Sequence, residues 1–474
     1  HVSASTSFHQ INNSKLFLAV FSAVLGNFSF GYSLVYSSPV LPILQSPDAD
    51  PRFKMGTEQA AWFGSIYALG AAAGGLGVML LNDLIGRKLS IMVSAVPSTI
   101  GYMLMGGAVD LWMLLLGRFL TGVAGGMTSA SIPVYISEIS HKSVRGAMGS
   151  CPQITAVFGN PGLVVPWRWL AVAGEVPAVL MVVLLAFMPS SPRRLLALGR
   201  QQKAEKALRW LRGKHYDIQI ELSDIQHSIN TQGRVSWSQL VTPEFYRPIL
   251  ISVLMRFLQQ MTGITPILVY LETIFSQSKA FLYDAAIVGA VSLFSIAVAA
   301  SLMDRAGRKA LLYMSSLLMF LSTLTLTIVS HTTPCPPGPA PPNLTVSLDF
   351  SSHNAIGNAL DASHQTAAGL IPLISTMVFI FGYTMGWGPI TWLLMSEVLP
   401  LAARGVASGL CVTVSWYGLY VPYLCFTVVC VLCLLFNAVC IPETRGRSLE
   451  EIENYFRTGR TFTINRSHST AQTS

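Results

Sequence analysis

Amide and indole side chains inside otherwise apolar stretches are the residues of this chain best suited to bind a ligand. Glutamine amides both donate and accept hydrogen bonds, which suits a ligand made of hydroxyl groups, and an indole ring covers the apolar face of a sugar ring. This lining fits a neutral polyol, although glutamines that only hold helices together are the alternative. The candidates are Gln153, Gln259, Gln260, Thr262, Thr265, Tyr270, Trp392 and Trp416.

A glycine- and proline-containing segment, Gly386-Trp387-Gly388-Pro389, accompanies these candidates near the middle of an apolar stretch. It predicts a helix broken close to the membrane midplane, as transporters use beside their substrates. A static kink without a binding role is the alternative.

Sequence signatures of several common enzyme classes are absent. The chain has no Gly-x4-Gly-Lys-Ser loop, no His-Glu-x-x-His and no Gly-x-Ser-x-Gly. Its seven cysteines show no metal-ligand spacing and are expected to be packing residues. The few ionisable residues gather at the ends of the apolar stretches. We therefore expect no enzymatic activity, no cofactor and no bound metal.

Two charged motifs occur twice, in the same order. Gly-Arg-Lys stands at 86–88 and again at 307–309, and Ser-Glu-x6-Arg-Gly stands at 137–146 and again at 396–405. Arg87 precedes Glu138 by 51 residues and Arg308 precedes Glu397 by 89, and most of the 38 extra residues fall in a polar stretch from about 331 to 365. The repeat predicts two homologous membrane halves, the second with a long loop.

Composition places the chain in a membrane. It is 52% hydrophobic and only 11% charged, against about 25% charged in soluble domains. Stretches of the length needed to cross a bilayer predict twelve spans, the fifth and eleventh of them shortened. They lie at roughly 16–37, 60–81, 90–108, 112–133, 147–164, 169–188, 248–274, 285–303, 310–330, 367–393, 406–419 and 421–441.

Lysines and arginines lie in alternate connections, which predicts that those connections and both termini face the cytoplasm. The loop 331–365 then faces the lumen or exterior, where Asn343-Leu344-Thr345 is a glycosylation acceptor. The net charge of +8 is explained by these inward-facing loops, so nucleic acid is not an expected partner.

Four segments follow from this topology. We expect an N-terminal transmembrane bundle at 1–192, a cytoplasmic linker with amphipathic helices at 193–247, a C-terminal transmembrane bundle at 248–447 and a cytoplasmic tail at 448–474. The linker and tail helices are expected to pack beneath the bundles, with a partner-binding role as the alternative.

The motifs together resemble one transporter family. Besides the two repeated motifs these are Arg118-x3-Gly122, Pro-x-Ser-Pro-Arg at 189–193, Gln-Gln-x-x-Gly-Ile at 259–264, Gly-Pro-Ile-x-Trp at 388–392 and Pro-Glu-Thr-x-Gly-Arg at 442–447. The chain is similar over nearly its whole length to the sugar-porter branch of the major facilitator superfamily. The resemblance implies an all-α membrane protein of two pseudo-symmetric six-helix bundles, with a hexose site between them that opens alternately to each side.

The same resemblance assigns roles to individual residues. Expected contacts to the sugar come from Gln153, Gln259, Gln260, Thr265, Trp392 and Trp416. Salt-bridge and gating roles are implied for Arg87, Arg118, Glu138, Arg145, Arg308, Glu397 and Arg404. Exposed ion pairs are worth about 0–1 kcal/mol each, which suits pairs that must break in every transport cycle.

The chain departs from the family at several positions. Thr265 and Ser292 stand where glucose carriers have asparagines, and Ser190 replaces the glutamate of the Pro-Glu-Ser-Pro-Arg box. Two amide contacts thereby become hydroxyl contacts, which predicts weaker glucose binding. The fifth span ends early at Asn160-Pro161-Gly162, and the region after Trp416 is about sixteen residues shorter than in the family, so twelve complete spans are in question.

Ser33 follows Gly31-Tyr32 where proton-driven relatives carry an aspartate. The lack of that acid favours facilitated diffusion over proton symport. A proton-coupled symporter and a transport-inactive sugar sensor or scaffold remain the alternatives. We expect a glycosylated monomer in contact with membrane lipid, in a lysosomal or other internal membrane or in the plasma membrane.

Overall fold

The computed structural model describes residues 13–141, 144–158, 166–213, 216–232, 242–264, 267, 284–332, 371, 374–399 and 404–416, with 432–433, 436–437 and 441 near the C-terminus. Every regular element in these ranges is a helix. Within the described ranges, seven helical segments are long and apolar enough to cross a membrane: Ser14–Gln45, Glu58–Leu84, Arg87–Gly106, Leu111–Ile139, Trp167–Ala186, Arg308–Ile328 and Ile374–Val398.

The first half forms one bundle of long helices. They are α1 (Ser14–Val35), α2 (Ser37–Gln45), α3 (Thr57–Leu84), α4 (Arg87–Val93), α5 (Ala95–Gly106), α6 (Leu111–Ile139), α7 (Arg145–Phe158) and α8 (Trp167–Ala186). Large apolar side chains such as Leu80, Met103 and Val176 point outward, 56–69% exposed, as expected for helices surrounded by lipid. Small and apolar side chains fill the interior.

Three short helices connect the halves, in the region predicted as an amphipathic linker. They are α9 (Pro192–Ala197), α10 (Gln201–Arg212) and α11 (Gln219–Gln232). Leu196, Ala204, Leu208 and Leu222 are buried together in a small core of their own. The basic residues of α10 lie on its outer side, apart from Arg212, which is buried.

The second half contributes α12 (Pro243–Met261), α13 (Asp284–Ala306), α14 (Arg308–Thr332), α15 (Trp387–Val398) and α16 (Arg404–Trp416). Residues 374–385 are helical and lead towards α15. The helix is interrupted at Gly386, the residue before α15. The break expected from Gly386-Trp387-Gly388-Pro389 is therefore confirmed. The backbone N–H and the indole N–H of Trp387 donate to Ser315 and Ser316 of α14, at 3.2 and 2.6 Å.

The fifth and eleventh predicted spans are described only in part. The described helix α7, at the place of the fifth span, has 14 residues, and α16, at the place of the eleventh, has 13. Both helices end where the described ranges end, so these lengths apply to the described parts only. Residues 159–165, and most of the predicted twelfth span, lie outside the described part of the chain.

Charged residues inside the helices correct one expectation. Ionisable groups do not gather only at the helix ends, because Arg118 and Arg256 are fully buried within α6 and α12. Glu175 lies in the middle of α8, where the hydroxyl of Thr99 contacts its carboxyl group. The sequence pattern missed these residues because each is isolated in an apolar stretch, and burial is decided by which neighbours the helix faces.

Candidate functional site

The first Gly-Arg-Lys turn joins three helices. Gly86 has φ +91° and ψ +161°, a conformation that essentially only glycine adopts, and it turns the chain from α3 into α4. Arg87 Nε then lies 3.2 Å from Glu138 Oε1 near the end of α6. Lys88 Nζ donates to the carbonyl oxygens of Ala186 and Met188, at 3.1 and 2.7 Å, just after α8. Cations suit helix C-termini because unpaired carbonyls concentrate negative charge there.

Arg194 closes the end of α3 from the linker side. Its guanidinium donates to three carbonyl oxygens, those of Asn82 at 3.2 Å, Asp83 at 3.0 Å and Leu84 at 2.8 Å. A Cβ atom at Gly86 would lie 2.5 Å from Arg194 Nε, so the turn has no room for a side chain. Partial burial, and then the charge of Arg87, lower the pKa of Arg194.

The second half repeats this arrangement. Gly307 has φ +92°, and Arg308 Nη2 lies 3.7 Å from Glu397 Oε1 at the end of α15. Arg308 also donates to the carbonyl five residues before it, as Arg87 does in the first half. Both ion pairs are almost completely buried, with side-chain exposures of 10% or less. We call the end of the bundle that carries these turns the motif side.

Arg145 and Arg404, the arginines of the two Ser-Glu-x6-Arg-Gly motifs, begin α7 and α16 and are both buried. Arg404 Nη2 donates to the carbonyl of Leu399 at 3.2 Å. It lies close enough to Glu138 and Arg145 of the first half to interact with them electrostatically. The charged groups of the two halves therefore meet on the motif side.

Helices from the two halves also pack closely against each other. A Cβ atom at Gly409 of α16 would lie 2.6 Å from the carbonyl oxygen of Gly75 in α3, so the two backbones approach at van der Waals distance. Thr413 Oγ1 donates to the carbonyl of Ala72 at 3.2 Å. Ser150 of α7 approaches the sulfur of Met303 in α13 at 3.9 Å.

Arg118 is placed differently from the other gating candidates. Its guanidinium donates to the carbonyls of Ser33 and Leu34 and to the hydroxyl of Ser37, and it lies 4.6 Å from the ring centroid of Tyr67. Within the described residues it makes no salt bridge. Arg118 thus ties α6 to the junction of α1 and α2, and the salt-bridge role expected for it is not what the structure shows.

Gln153, Gln259 and Trp392 lie around the first turns of α15. A Cβ atom at Gly388 would lie 3.4 Å from Gln153 Nε2, so the amide of α7 faces α15 across the two halves. Gln259 of α12 is fully buried and Gln260 is 9% exposed. Trp392, 6% exposed, completes this group one turn after Gly388.

Gln259 is held by three hydrogen bonds. Its Nε2 donates to the hydroxyl of Tyr383 at 2.8 Å and to the carbonyl of Trp387 at 2.7 Å, and its Oε1 accepts from Arg256. Arg256 also stacks on Trp392, with its guanidinium carbon 3.7 Å from the ring centroid. Two expected sugar contacts are therefore linked to each other through one arginine.

Three expected site residues lie wholly or partly outside the described residues. Thr265 and the glycosylation candidate Asn343 lie outside the described residues. The backbone of Trp416 ends α16, but its side chain is outside the described part of the chain.

The sequence analysis did not predict a role in the site for Arg256, Tyr383 or Arg194. Arg256 carried a usable signal, because an arginine inside an apolar span is costly unless it serves a purpose. Tyr383 and Arg194 carried none, since their partners are more than 100 residues away in the chain.

The similarity of this chain to known proteins covers nearly its whole length. The family model described as "Sugar (and other) transporter" matches residues 19–456. Solute carrier family 2, facilitated glucose transporter member 6, of Homo sapiens is 54% identical over 475 residues, which cover 95% of this chain and 93% of the human protein. Member 8 of Mus musculus is 38% identical over 470 residues, covering 93% of this chain and 94% of the mouse protein.

A solved structure shares the fold. The major facilitator superfamily proton:xylose symporter XylE, bound to 6-bromo-6-deoxy-D-glucose, superposes with a TM-score of 0.76 at 24% identity, covering 94% of this chain and 100% of that chain. The expected major facilitator fold is confirmed by this likeness and by the all-helical described residues, and twelve spans are consistent with it.

Proposed function

This chain belongs to the sugar transporter family, and we propose that it carries a hexose, in the first instance glucose, across its membrane by facilitated diffusion. The observation that supports this most directly is the duplicated ion pair, Arg87–Glu138 and Arg308–Glu397, on the side where the halves are in contact. Pairs that close one side must open for sugar to leave there, which is the requirement of alternating access. The family and the names of its relatives supply the substrate class.

The proposed site lies between the halves. Gln153 from the first half and Gln259, Gln260 and Trp392 from the second are proposed to line it near the break at Gly386, and Thr265 and Trp416 are proposed to complete this lining. Arg87, Glu138, Arg145, Arg308, Glu397 and Arg404 are the proposed gate. The boundaries 1–192, 193–247, 248–447 and 448–474 are kept as the proposed division of the chain.

Facilitated diffusion is preferred to proton symport because of the residue at position 33 in the first span. Ser33, at the place of the symporters' aspartate, pairs with the hydroxyl of Tyr102 at 2.6 Å, and its carbonyl accepts from Arg118. Unlike the carboxyl group of an aspartate, serine and tyrosine hydroxyls do not ionise near neutral pH. This position therefore offers no proton carrier.

We further propose that the motif side faces the cytoplasm, that both termini lie there, that Asn343 is glycosylated, and that the protein is a monomer in a lysosomal, other internal or plasma membrane. The excess of lysine and arginine in the connections on the motif side supports the orientation. The orientation is tested by introducing single cysteines into connections on either side of the membrane and measuring which of them a membrane-impermeant thiol reagent labels in intact cells.

The function is tested by uptake of radiolabelled D-glucose into proteoliposomes that contain the purified chain, with L-glucose and protein-free liposomes as controls. Saturable uptake of the D isomer, unchanged by an imposed pH gradient, is expected. Acceleration by an inward proton gradient would instead identify a symporter. Stereoselective binding without uptake would identify a sensor or scaffold.

A further inference from the structure

One face of Trp392 is already covered by a side chain of this protein. The guanidinium carbon of Arg256 lies 3.7 Å from the centroid of the Trp392 ring, in direct stacking contact. Arg256 is fully buried, and Trp392 is only 6% exposed. A planar, delocalised cation is well matched to an aromatic face. A sugar ring that stacks on an indole packs its C–H groups against a ring face, so it needs the kind of surface that Arg256 covers here.

The amide of Gln259 is also engaged. An amide nitrogen has two N–H donors, and both are used here, by the Tyr383 hydroxyl and the Trp387 carbonyl. The amide oxygen accepts from Arg256. To donate to a sugar hydroxyl, Gln259 must therefore give up an existing hydrogen bond.

We propose that Arg256 is a specificity-determining residue. It stacks on Trp392 and donates a hydrogen bond to the side-chain amide oxygen of Gln259, so that a neutral hexose has to displace it in order to bind. This inference rests on the proposed function, in which Trp392 and Gln259 contact the sugar. Arg256 then acts as an internal competitor. It lowers the affinity for a neutral hexose, and a good substrate is one that compensates for the contacts it displaces.

Removing Arg256 has a different effect on sugar binding if it competes with the sugar than if it binds the sugar or only supports the fold. If Arg256 bound the sugar directly, removing it would weaken binding, and if it only supported the fold, removing it would lower protein stability without improving binding. If it competes with the sugar, removing it strengthens binding. The sign of the change in KM separates these roles.

The test compares the full chain with Arg256→Gln and Arg256→Lys in proteoliposomes, measuring KM and Vmax for D-glucose uptake. Glutamine removes the charge and the stacking fork, and lysine keeps the charge without the planar fork. We expect Arg256→Gln to lower KM about tenfold, the equivalent of one lost cation–π contact, with Vmax changed less than about twofold. Arg256→Lys should give a smaller decrease.

A double-mutant cycle supplies the control. In a Trp392→Leu background the stacking face is gone, so adding Arg256→Gln should change KM much less than it does in the unmodified chain. An equal decrease in both backgrounds would show that Arg256 does not act through Trp392.

An unchanged or higher KM in Arg256→Gln, with the melting temperature retained, would overturn the proposal. So would the inability of both Arg256 variants to fold, because Arg256 would then be a structural residue. Stereoselective uptake with no effect of Arg256 leaves the proposed function intact. If neither the unmodified chain nor any of the variants takes up or binds any hexose, the proposed function and the inference are both contradicted.

Discussion

Arg87 Nε and Glu138 Oε1 lie 3.2 Å apart, with side-chain exposures of 10% and 3%, at the end of the molecule where the two halves touch. Arg87 is held from its other side by the carbonyl of Asn82 at 3.2 Å. When two opposite charges are buried in this way, each stabilises the other, and removing one leaves the other without that stabilisation. Their separation therefore affects both stability and the closure of the motif side.

Glu138→Gln is expected to lower the unfolding free energy by about 3 kcal/mol, because it removes the carboxylate that forms the buried ion pair with Arg87. The apparent melting temperature in detergent measures this. The double variant, Arg87→Gln with Glu138→Gln, should be less destabilised than the sum of the two single variants, since both members of the ion pair are removed together. Strict additivity would show that the two side chains do not depend on each other.

Gly86→Ala is expected to be destabilising by more than about 2 kcal/mol, because alanine at this backbone conformation is strained and its Cβ would meet Arg194 at 2.5 Å. Gly199→Ala is the matched control. Gly199 has φ +72° but nothing within 4 Å of its added Cβ, so this variant carries only the backbone cost. Equal losses in melting temperature for the two variants would argue against the role given to Arg194.

Gly409→Val is expected to separate α3 from α16 and to weaken closure of the motif side. A Cβ at this position would lie 2.6 Å from the Gly75 carbonyl and 2.8 Å from Met79 Cβ, and neither helix backbone can move without losing other contacts. Uptake should fall at least about tenfold. Labelling of an introduced cysteine at Thr413 should rise at the same time.

Gly77→Val is the control for that variant, because it lies in the same helix as Gly75, on the outer side, with nothing within 4 Å of the added Cβ. Its uptake should stay near that of the unmodified chain. If both variants lose uptake alike, close approach of α3 and α16 is not the cause.

Arg212→Ala is expected to release the linker helices from the first half. Arg212 donates to the carbonyl of Ile139 at the end of α6, at 2.8 Å, and pairs with Glu221 at 2.6 Å while buried. Losing it should raise hydrogen exchange across α10 and α11 and cost about 3 kcal/mol. Hydrogen–deuterium exchange with mass spectrometry measures the first effect directly.

Arg209→Ala tests whether loss of any linker ion pair has this result. Arg209 pairs with Glu205 in the same helix at 3.0 Å, with side-chain exposures of 58% and 36%. Exposed pairs of this type contribute about 0–1 kcal/mol. Protection of α10 should therefore be unchanged in this variant.

The amino-acid sequence by itself determined the class of the protein and the order of its parts. Bilayer thickness fixes the length of a span and lipid fixes its composition, so hydropathy alone located most of the helices, and the repeated motifs predicted two halves. Glycine and proline likewise predicted the break at Gly386, because they act on the local backbone.

Only the tertiary structure decided which side chains meet. Arg194 caps a helix more than 100 residues before it, Arg118 binds carbonyls and a hydroxyl where a salt bridge was expected, and Arg256 covers the ring of Trp392. Each of these contacts depends on how a helix is rotated about its axis and on what packs against it. In lipid both sides of a helix are apolar, so the sequence pattern carries little information about that rotation.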